Sequence, residues 1–104
     1  MAKAYWIATV DVSDIESMKT YSKENRAALK RYGAKFIVRH GQQAIVEGRS
    51  RQAQTVIEFP SYEAALAAYR DPEYQAAAKF RHRAAEGDLV IVEGYDGPPG
   101  CPHG

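Results

Sequence analysis

The chain has 104 residues, of which 45% are hydrophobic and 26% are charged, and its formal net charge at pH 7 is +1. These values are typical of one folded globular domain and exclude a disordered or fibrous chain. The near balance of charge gives no reason to expect nucleic acid as a partner. No apolar run approaches the ~20 residues that a membrane-spanning helix needs, so a membrane partner is not expected either.

The sequence starts directly with a strand-like run, without the basic and apolar segments of a signal peptide, so we expect a cytoplasmic protein. The single cysteine, Cys101, cannot form a disulfide within the chain and fits a reducing compartment. Cys101 and His103 are the closest pair of metal ligands, but two ligands are fewer than a zinc site needs, and we expect no metal site. Nucleotide, phosphate and metalloprotease motifs are absent from the sequence, and no cofactor is expected.

The first predicted elements are a strand and a helix. Residues 3–10 are rich in aromatic and β-branched side chains, which is typical of a strand. Ser13 and Glu16 then have the spacing of a capping box. Apolar positions recur every three or four residues as far as Gly33, which can adopt the left-handed conformation that closes helices. A helix is therefore predicted over residues 14–32.

The middle of the chain predicts two further strands. Residues 36–38 begin an extended segment that passes a bulge or tight turn at residues 41–43 and resumes at residues 44–46. A polar loop follows over residues 48–52. The next strand, residues 55–59, must stop at Pro60.

A broken helical region and a last strand complete the predicted order. Ser61 and Asp71 each stand where an N-cap is expected, and Asp71 is followed by proline, which is favoured at the first helical position. Two helical pieces are predicted, over residues 62–69 and 72–85, with Gly87 ending the second. Residues 88–95 form the last predicted strand.

The resulting order β-α-β-β-α-β predicts an α+β, ferredoxin-like domain over residues 1–96, with a four-stranded antiparallel sheet and both helices on one face. Residues 97–104 are expected to be a flexible tail. The first and last strands are apolar on both faces, as Tyr5 and Ile7 alternate with Trp6 and Ala8. Helices shield only one face, so a second copy of the sheet is expected to cover the other, which predicts a homodimer.

Several segments resemble the bacterial family called domain of unknown function 1330. They are residues 58–65, residues 72–75 and residues 88–94, together with the first strand and the start of the second. The resemblance covers roughly residues 3–95 and implies a dimeric α/β barrel, in which two such sheets close against each other, with no established activity. This chain departs from the family's usual pattern at His40, where glycine is common, and at Ala68, where an aromatic residue is common.

Candidate site residues were sought among polar side chains in apolar surroundings. A small-molecule pocket is predicted between the helices and the sheet, and its ligand-binding residues are Tyr21, Arg39, Glu58, Tyr69 and Tyr74. The competing interpretation places the tyrosines at the rim of the core. Glu58 interrupts an apolar strand and must be satisfied, either by Arg39 or an arginine of a second subunit, or by a ligand.

Two groups of basic residues have alternative interpretations. His40 could act as a general base beside Arg39, or both could be a solvated strand end. Lys79, Arg81, His82 and Arg83 are interpreted as a solvated patch near a helix C-terminus.

The sequence thus leaves two functions open. The protein could bind or transform a small polar organic molecule without a cofactor, with Glu58 or His40 as a base and Tyr21 or Tyr69 as a proton donor. Alternatively, it could be a non-catalytic interaction or stress-related dimer. A tyrosine-lined cavity of ~300 Å³ or more would favour the first function.

Overall fold

The computed structural model describes residues 2–97, which form four strands and four helical segments. The strands are β1 (Ala4–Val12), β2 (Lys35–Arg39), β3 (Ala53–Phe59) and β4 (Ala85–Glu93). The helices are α1 (Ile15–Glu24), α2 (Arg26–Arg31), α3 (Tyr62–Arg70) and α4 (Pro72–Ala84). The predicted tail beyond residue 97, with Cys101 and His103, lies outside the described residues.

The strands form one antiparallel sheet in the order β2-β3-β1-β4. This order places the first and third strands at the centre, as in a split βαβ unit. The predicted ferredoxin-like α+β fold is therefore confirmed. No helix within residues 2–97 is long and apolar enough to cross a membrane.

The core lies between the helices and one face of the sheet. Its largest fully buried side chains are Trp6, Phe59, Tyr74 and Leu29. Trp6 packs against Phe59 and Tyr74 with ring centroids 5.1 Å and 4.9 Å away, and its indole N–H donates to the carbonyl oxygen of Ala65 at 2.9 Å. This contact fixes α3 on β1.

The other face of the sheet is apolar and only partly covered by residues 2–97. Ile7 lies opposite Val56 and Val90 in the register, and 39% of Ile7 and 57% of Val90 remain exposed. Val38 and Val92 extend the same surface. We call these five side chains the open face. An apolar surface shared by adjacent strands is typical of an interface.

The first helical region starts and divides differently from the prediction. Asp14, not Ser13, is the N-cap of α1 and accepts from the backbone N–H of Ser17, whereas the Ser13 hydroxyl donates to the carbonyl oxygen of Ala84. Asn25 separates α1 from α2. Gly33 closes α2 with a φ of +76°, as predicted.

The second helical region follows the prediction closely. Ser61 accepts from the N–H of Ala64, and Asp71 accepts from the N–H groups of Glu73 and Tyr74. Both N-caps are confirmed. The predicted break near residue 70 is confirmed as well, because α3 ends at Arg70 and α4 begins one residue after Asp71.

The predicted return to a strand at residues 44–46 is wrong. The ladder ends where the backbone N–H of His40 donates to the carbonyl oxygen of Gln54 at 2.8 Å. His40 then has a φ of +50°, which turns the chain away from the sheet edge. The side chain of Gln43 donates to the backbone carbonyls of Arg51 and Gln52, so side-chain bonds replace strand pairing.

Gly87 does not end a helix but lies inside β4, opposite Val10. A Cβ at this position would stand 2.1 Å from the carbonyl oxygen of Thr9 and 2.8 Å from Cγ1 of Val10. Glycine is needed here because the backbone of β1 approaches closely. The strand therefore starts at Ala85, three residues earlier than predicted.

We expect Gly87→Ala to destabilise the protein by about 2 kcal/mol or more, because the added methyl group must push apart two paired backbones. Urea denaturation gives the free energy of unfolding. The control is Gly41→Ala, where nothing lies within 4 Å of an added Cβ. Equal stabilities of the two variants would contradict the close approach of β1 and β4.

The Asp71 cap also predicts a pH dependence. The Tyr32 hydroxyl donates to the Asp71 carboxylate at 2.8 Å, and this bond, with the Arg31 guanidinium and the N–H groups of Tyr74 and Glu73, lowers the pKa of Asp71 from 3.8 to about 2. Because the folded-state pKa is depressed, the stabilisation is fully present above about pH 4 and is lost as the pH falls towards 2.

Asp71→Asn should therefore flatten the decrease in melting temperature between pH 4 and pH 2. Thermal unfolding followed by circular dichroism measures this slope. Glu24→Gln, which alters an exposed carboxylate without an ion pair among residues 2–97, serves as the control. An unchanged slope in Asp71→Asn would show that the cap is not ionised as described.

Candidate functional site

A cavity of about 530 Å³ lies between α1 and the helix-covered face of the sheet. None of the ten residues of α1 (Ile15–Glu24) is fully buried, whereas α2 buries Ala28 and Leu29 in the core. The helix beyond Asn25 thus packs tightly, and the helix before it stands away from the sheet. The cavity is the space that remains beneath α1.

The floor of the cavity is apolar. β1 contributes Trp6, Ala8 and Val10, and the neighbouring strands contribute Phe36, Ile57 and Leu89. The small side chain of Ala8 lies between larger neighbours in the middle strand, which leaves depth for a ligand.

The rim of the cavity is strongly cationic. Five basic side chains line it, with His40 beside them, and no carboxylate within residues 2–97 does so; the five are Lys19, Lys23, Arg26, Arg39 and Arg81. Only Lys19 forms a salt bridge within the described part of the chain, with Glu16 at 3.6 Å. The rim therefore carries a local positive charge although the whole chain is nearly neutral.

Two polar groups in the cavity wall lack partners among residues 2–97. The Nε atom of Arg81 is buried without a hydrogen bond. Asn25 is only 4% exposed, and its side-chain amide forms no hydrogen bond. Buried polar groups are usually satisfied, so Nε of Arg81, the only fully buried side-chain nitrogen or oxygen without a partner within residues 2–97, marks a place where an additional molecule would fit. The Asn25 amide lines the same cavity and is accessible from it.

Tyr21 joins the cavity to the core. Its hydroxyl lies 2.9 Å from that of Tyr74, which is fully buried, and the guanidinium carbon of Arg81 lies 5.8 Å from the Tyr21 ring centroid. Burial, followed by the neighbouring Tyr21, raises the pKa of the Tyr74 phenol above its ordinary value. Tyr74 is therefore a neutral hydrogen-bonding group.

Of the predicted site residues, the structure brings Tyr21 and Arg39 to the cavity. Tyr74 stands behind it, and Tyr69 packs edge-on against Trp6 at 6.0 Å in the core. Glu58 is on the open-face side of the sheet, since it alternates with the inward-facing Ile57. Glu58, Tyr69 and Tyr74 are thus not at the mouth of the cavity.

Arg39 does not pair with Glu58 within residues 2–97, and an arginine of a second subunit stays a prediction. Lys3 forms the salt bridge instead, with Nζ 3.0 Å from Oε1. The partner lies on the strand next to β3, because Ala4 is paired with Phe59 and brings Lys3 alongside. The side chain of Glu58 is 19% exposed, and this surface pair accounts for a carboxylate within an apolar strand.

Sequence reasoning missed two groups of the cavity. Asn25 occupies an apolar position of the helical repeat, four residues after Tyr21, and a buried amide at such a position was a usable signal. Arg81 was interpreted as solvated surface, because its partner helix and the gap beneath α1 have no signature in the sequence.

Metal and cofactor ligands were sought in the same way. Within residues 2–97, no group of three or more His, Cys, Asp or Glu side chains is placed to hold a metal ion. The pair Cys101 and His103 lies outside this range and has no structural outcome.

Residues 3–95 match the family model described as domain of unknown function, DUF1330. The chain belongs to this family. The match spans all eight helices and strands, so the resemblance found in the sequence is confirmed. No curated protein matches the chain.

Three solved structures show how widely the fold is shared. A Rhodopseudomonas palustris protein of unknown function has a TM-score of 0.73 at 18% identity, covering 92% of this chain and 85% of that chain. SnoaB, a cofactor-independent oxygenase from Streptomyces nogalater, has a TM-score of 0.61 at 11% identity, and the match covers 95% of this chain and 99% of that chain. A dimeric protein with a ferredoxin-like fold from Bacteroides fragilis has a TM-score of 0.60 at 14% identity, and the match covers 88% of this chain and 96% of that chain. At such identities the likeness shows the fold alone.

The hydroxyl pair of the cavity wall predicts unequal costs for two similar substitutions. Tyr21→Phe should destabilise by about 1–3 kcal/mol, because it leaves the fully buried Tyr74 hydroxyl without a partner. Tyr74→Phe should cost only about 1 kcal/mol, because the Tyr21 hydroxyl borders the cavity and can bond to water. Chemical denaturation compares them, and the double variant is the control. A larger cost for Tyr74→Phe would contradict this arrangement.

Proposed function

We propose that this protein is a homodimer that binds a small polar organic molecule, without a cofactor, in the cavity between α1 and the sheet. The observation that carries the proposal is the cavity of about 530 Å³ with an apolar floor and a polar rim. Its size falls within the range of small-molecule sites, roughly 300–1,000 Å³. An apolar wall with a few polar groups is the usual composition of such sites.

The cavity favours ligand binding over a purely structural or interaction role. A protein evolved only for association gains nothing from a gap beneath α1, because filling it with larger side chains would increase buried apolar area. The buried Nε of Arg81, which has no partner within residues 2–97, points the same way, since a polar group that enters the cavity can supply its acceptor.

If the bound molecule is transformed, the chemistry falls to the polar residues of the cavity. Of the predicted acid and base groups, His40 and Tyr21 line it, whereas Glu58 and Tyr69 do not. His40 is held with a φ of +50°, which is uncommon outside glycine and concentrates at functional sites. His40 is thus the candidate base and Tyr21 the candidate proton donor.

The open face supports the homodimer. Exposed Ile7, Val38, Val90 and Val92 form an apolar surface on one side of the sheet. A second copy offers the same surface, and a two-fold axis between the two facing sheets would cover both surfaces at once. The similar Bacteroides fragilis protein is dimeric, which supports the same assembly here. A cytoplasmic location remains a prediction of the sequence.

Native mass spectrometry of gently purified protein tests both parts of the proposal. We expect a dimer that retains a small organic molecule. Ile7→Glu should give a folded monomer, because two carboxylates would face each other across an apolar interface. Ala76→Glu adds the same charge on the exposed surface of α4 and should remain dimeric.

The outcomes separate the two parts. A wild-type monomer at micromolar concentration would contradict the dimer. A dimer from which no small molecule is released, and to which none from a set of organic acids, amides and amines binds, would contradict the ligand-binding function.

A further inference from the structure

We propose that the ligand of this cavity is an organic acid with a flat apolar body, whose carboxylate is bound by the guanidinium of Arg81 and the side-chain amide of Asn25. This inference rests on the proposed ligand-binding function and names the chemical class of the ligand. It follows from three features of the cavity, namely its charge, its unpartnered donors and its floor.

The charge of the rim selects an anion. Five basic side chains line the cavity, and no carboxylate within residues 2–97 offsets them there. Glu16 neutralises only Lys19. In a partly enclosed site the charges are screened less by salt than on an open surface, so a cationic ligand would be repelled and an anionic one attracted.

The unpartnered donors locate the anionic end. The Nε–H of Arg81 is buried without an acceptor within the described residues, and the Arg81 guanidinium is held over the ring of Tyr21. Asn25 follows Tyr21 by one helical turn on the same side of the helix, and its backbone N–H donates to the carbonyl oxygen of Tyr21. Both donors therefore line the cavity next to Tyr21, one on each of the two helices that meet there.

A carboxylate suits this pair of donors. It has two oxygens, which can accept from a guanidinium and from an amide N–H at the same time. Arg81 has no carboxylate partner within residues 2–97; its Nη2 lies 3.2 Å from Nε2 of the His82 imidazole. A ligand carboxylate would therefore supply the acceptor that the fold does not.

The floor of the cavity determines the shape and polarity expected for the rest of the ligand. Phe36 is 39% exposed and offers an aromatic surface, and the small side chain of Ala8 leaves space one row further along the sheet, so a flat apolar body would be shielded from water on one side. At the opposite rim, the guanidinium of Arg39 stacks on Phe36 at 4.7 Å and keeps that edge of the cavity polar.

The test uses three probes of nearly equal shape: 2-naphthoate, 2-naphthamide and 2-naphthylmethylammonium. Isothermal titration calorimetry on the full-length protein at pH 7 gives each dissociation constant. We expect the dissociation constant of the acid to be at least about tenfold lower than that of the amide, because a charge-assisted hydrogen bond is stronger than a neutral one. The amine should have the highest dissociation constant of the three. Raising the salt concentration should weaken the binding of the acid and not that of the amide or the amine.

Two variants locate the carboxylate. Arg81→Gln should bring the affinities for acid and amide to near equality, whereas Arg83→Gln, which removes the same charge from the same helix outside the cavity, should preserve their ratio. Asn25→Leu should weaken the binding of the acid about tenfold, because it removes an amide donor from the cavity wall.

The outcomes distinguish this inference from the function on which it rests. Equal binding of acid and amide to the wild-type protein, or an undiminished ratio in Arg81→Gln, overturns the organic acid or its place beside Arg81 but leaves the cavity as a binding site. Binding of none of the three probes at millimolar concentration overturns both. The wild-type comparison does not depend on any variant folding.

Discussion

The indole of Trp6 is the group through which the sheet, the helices and the cavity meet. Its N–H bonds to the carbonyl of Ala65 in α3, and its ring contacts Phe59 of β3 and Tyr74 of α4. The same ring forms part of the cavity floor. The floor of the cavity is therefore fixed by contacts that lie within the core, independent of the side chains at the rim.

The division of the first helical region at Asn25 explains why a cavity exists at all. α2 is anchored by Ala28 and Leu29, which are buried in the core. α1 has no such anchor among its residues Ile15–Glu24, and Tyr21 reaches inwards only as far as the hydroxyl of Tyr74. The side chain of Tyr21 is long, and its hydrogen bond to Tyr74 holds α1 farther from the sheet than close packing of apolar side chains would.

The elements were predictable where local chemistry decides them, and not where tertiary contacts do. Ser61 and Asp71 cap their helices because a short polar side chain reaches the free N–H groups nearby. Gly87 was misinterpreted because its role depends on β1, which approaches it from far away in the sequence. For the site, the aromatic residue Tyr21 and the cation Arg39 were found, but Arg81 and Asn25 owe their roles to a gap that no periodicity encodes.

The two faces of the sheet separate two tasks. Side chains that alternate along β1 point in turn to the cavity and to the open face, so Trp6 and Ala8 serve the ligand while Tyr5 and Ile7 serve the proposed dimer. Glu58 belongs to the second set, and its pairing with Lys3 keeps a charge tolerable beside that apolar surface. Within the described chain, the cationic rim and the open face, for which an anion and a second copy are proposed, therefore share no side chain. Changes in ligand specificity can consequently arise at Arg39, His40 or Arg81 without disturbing assembly.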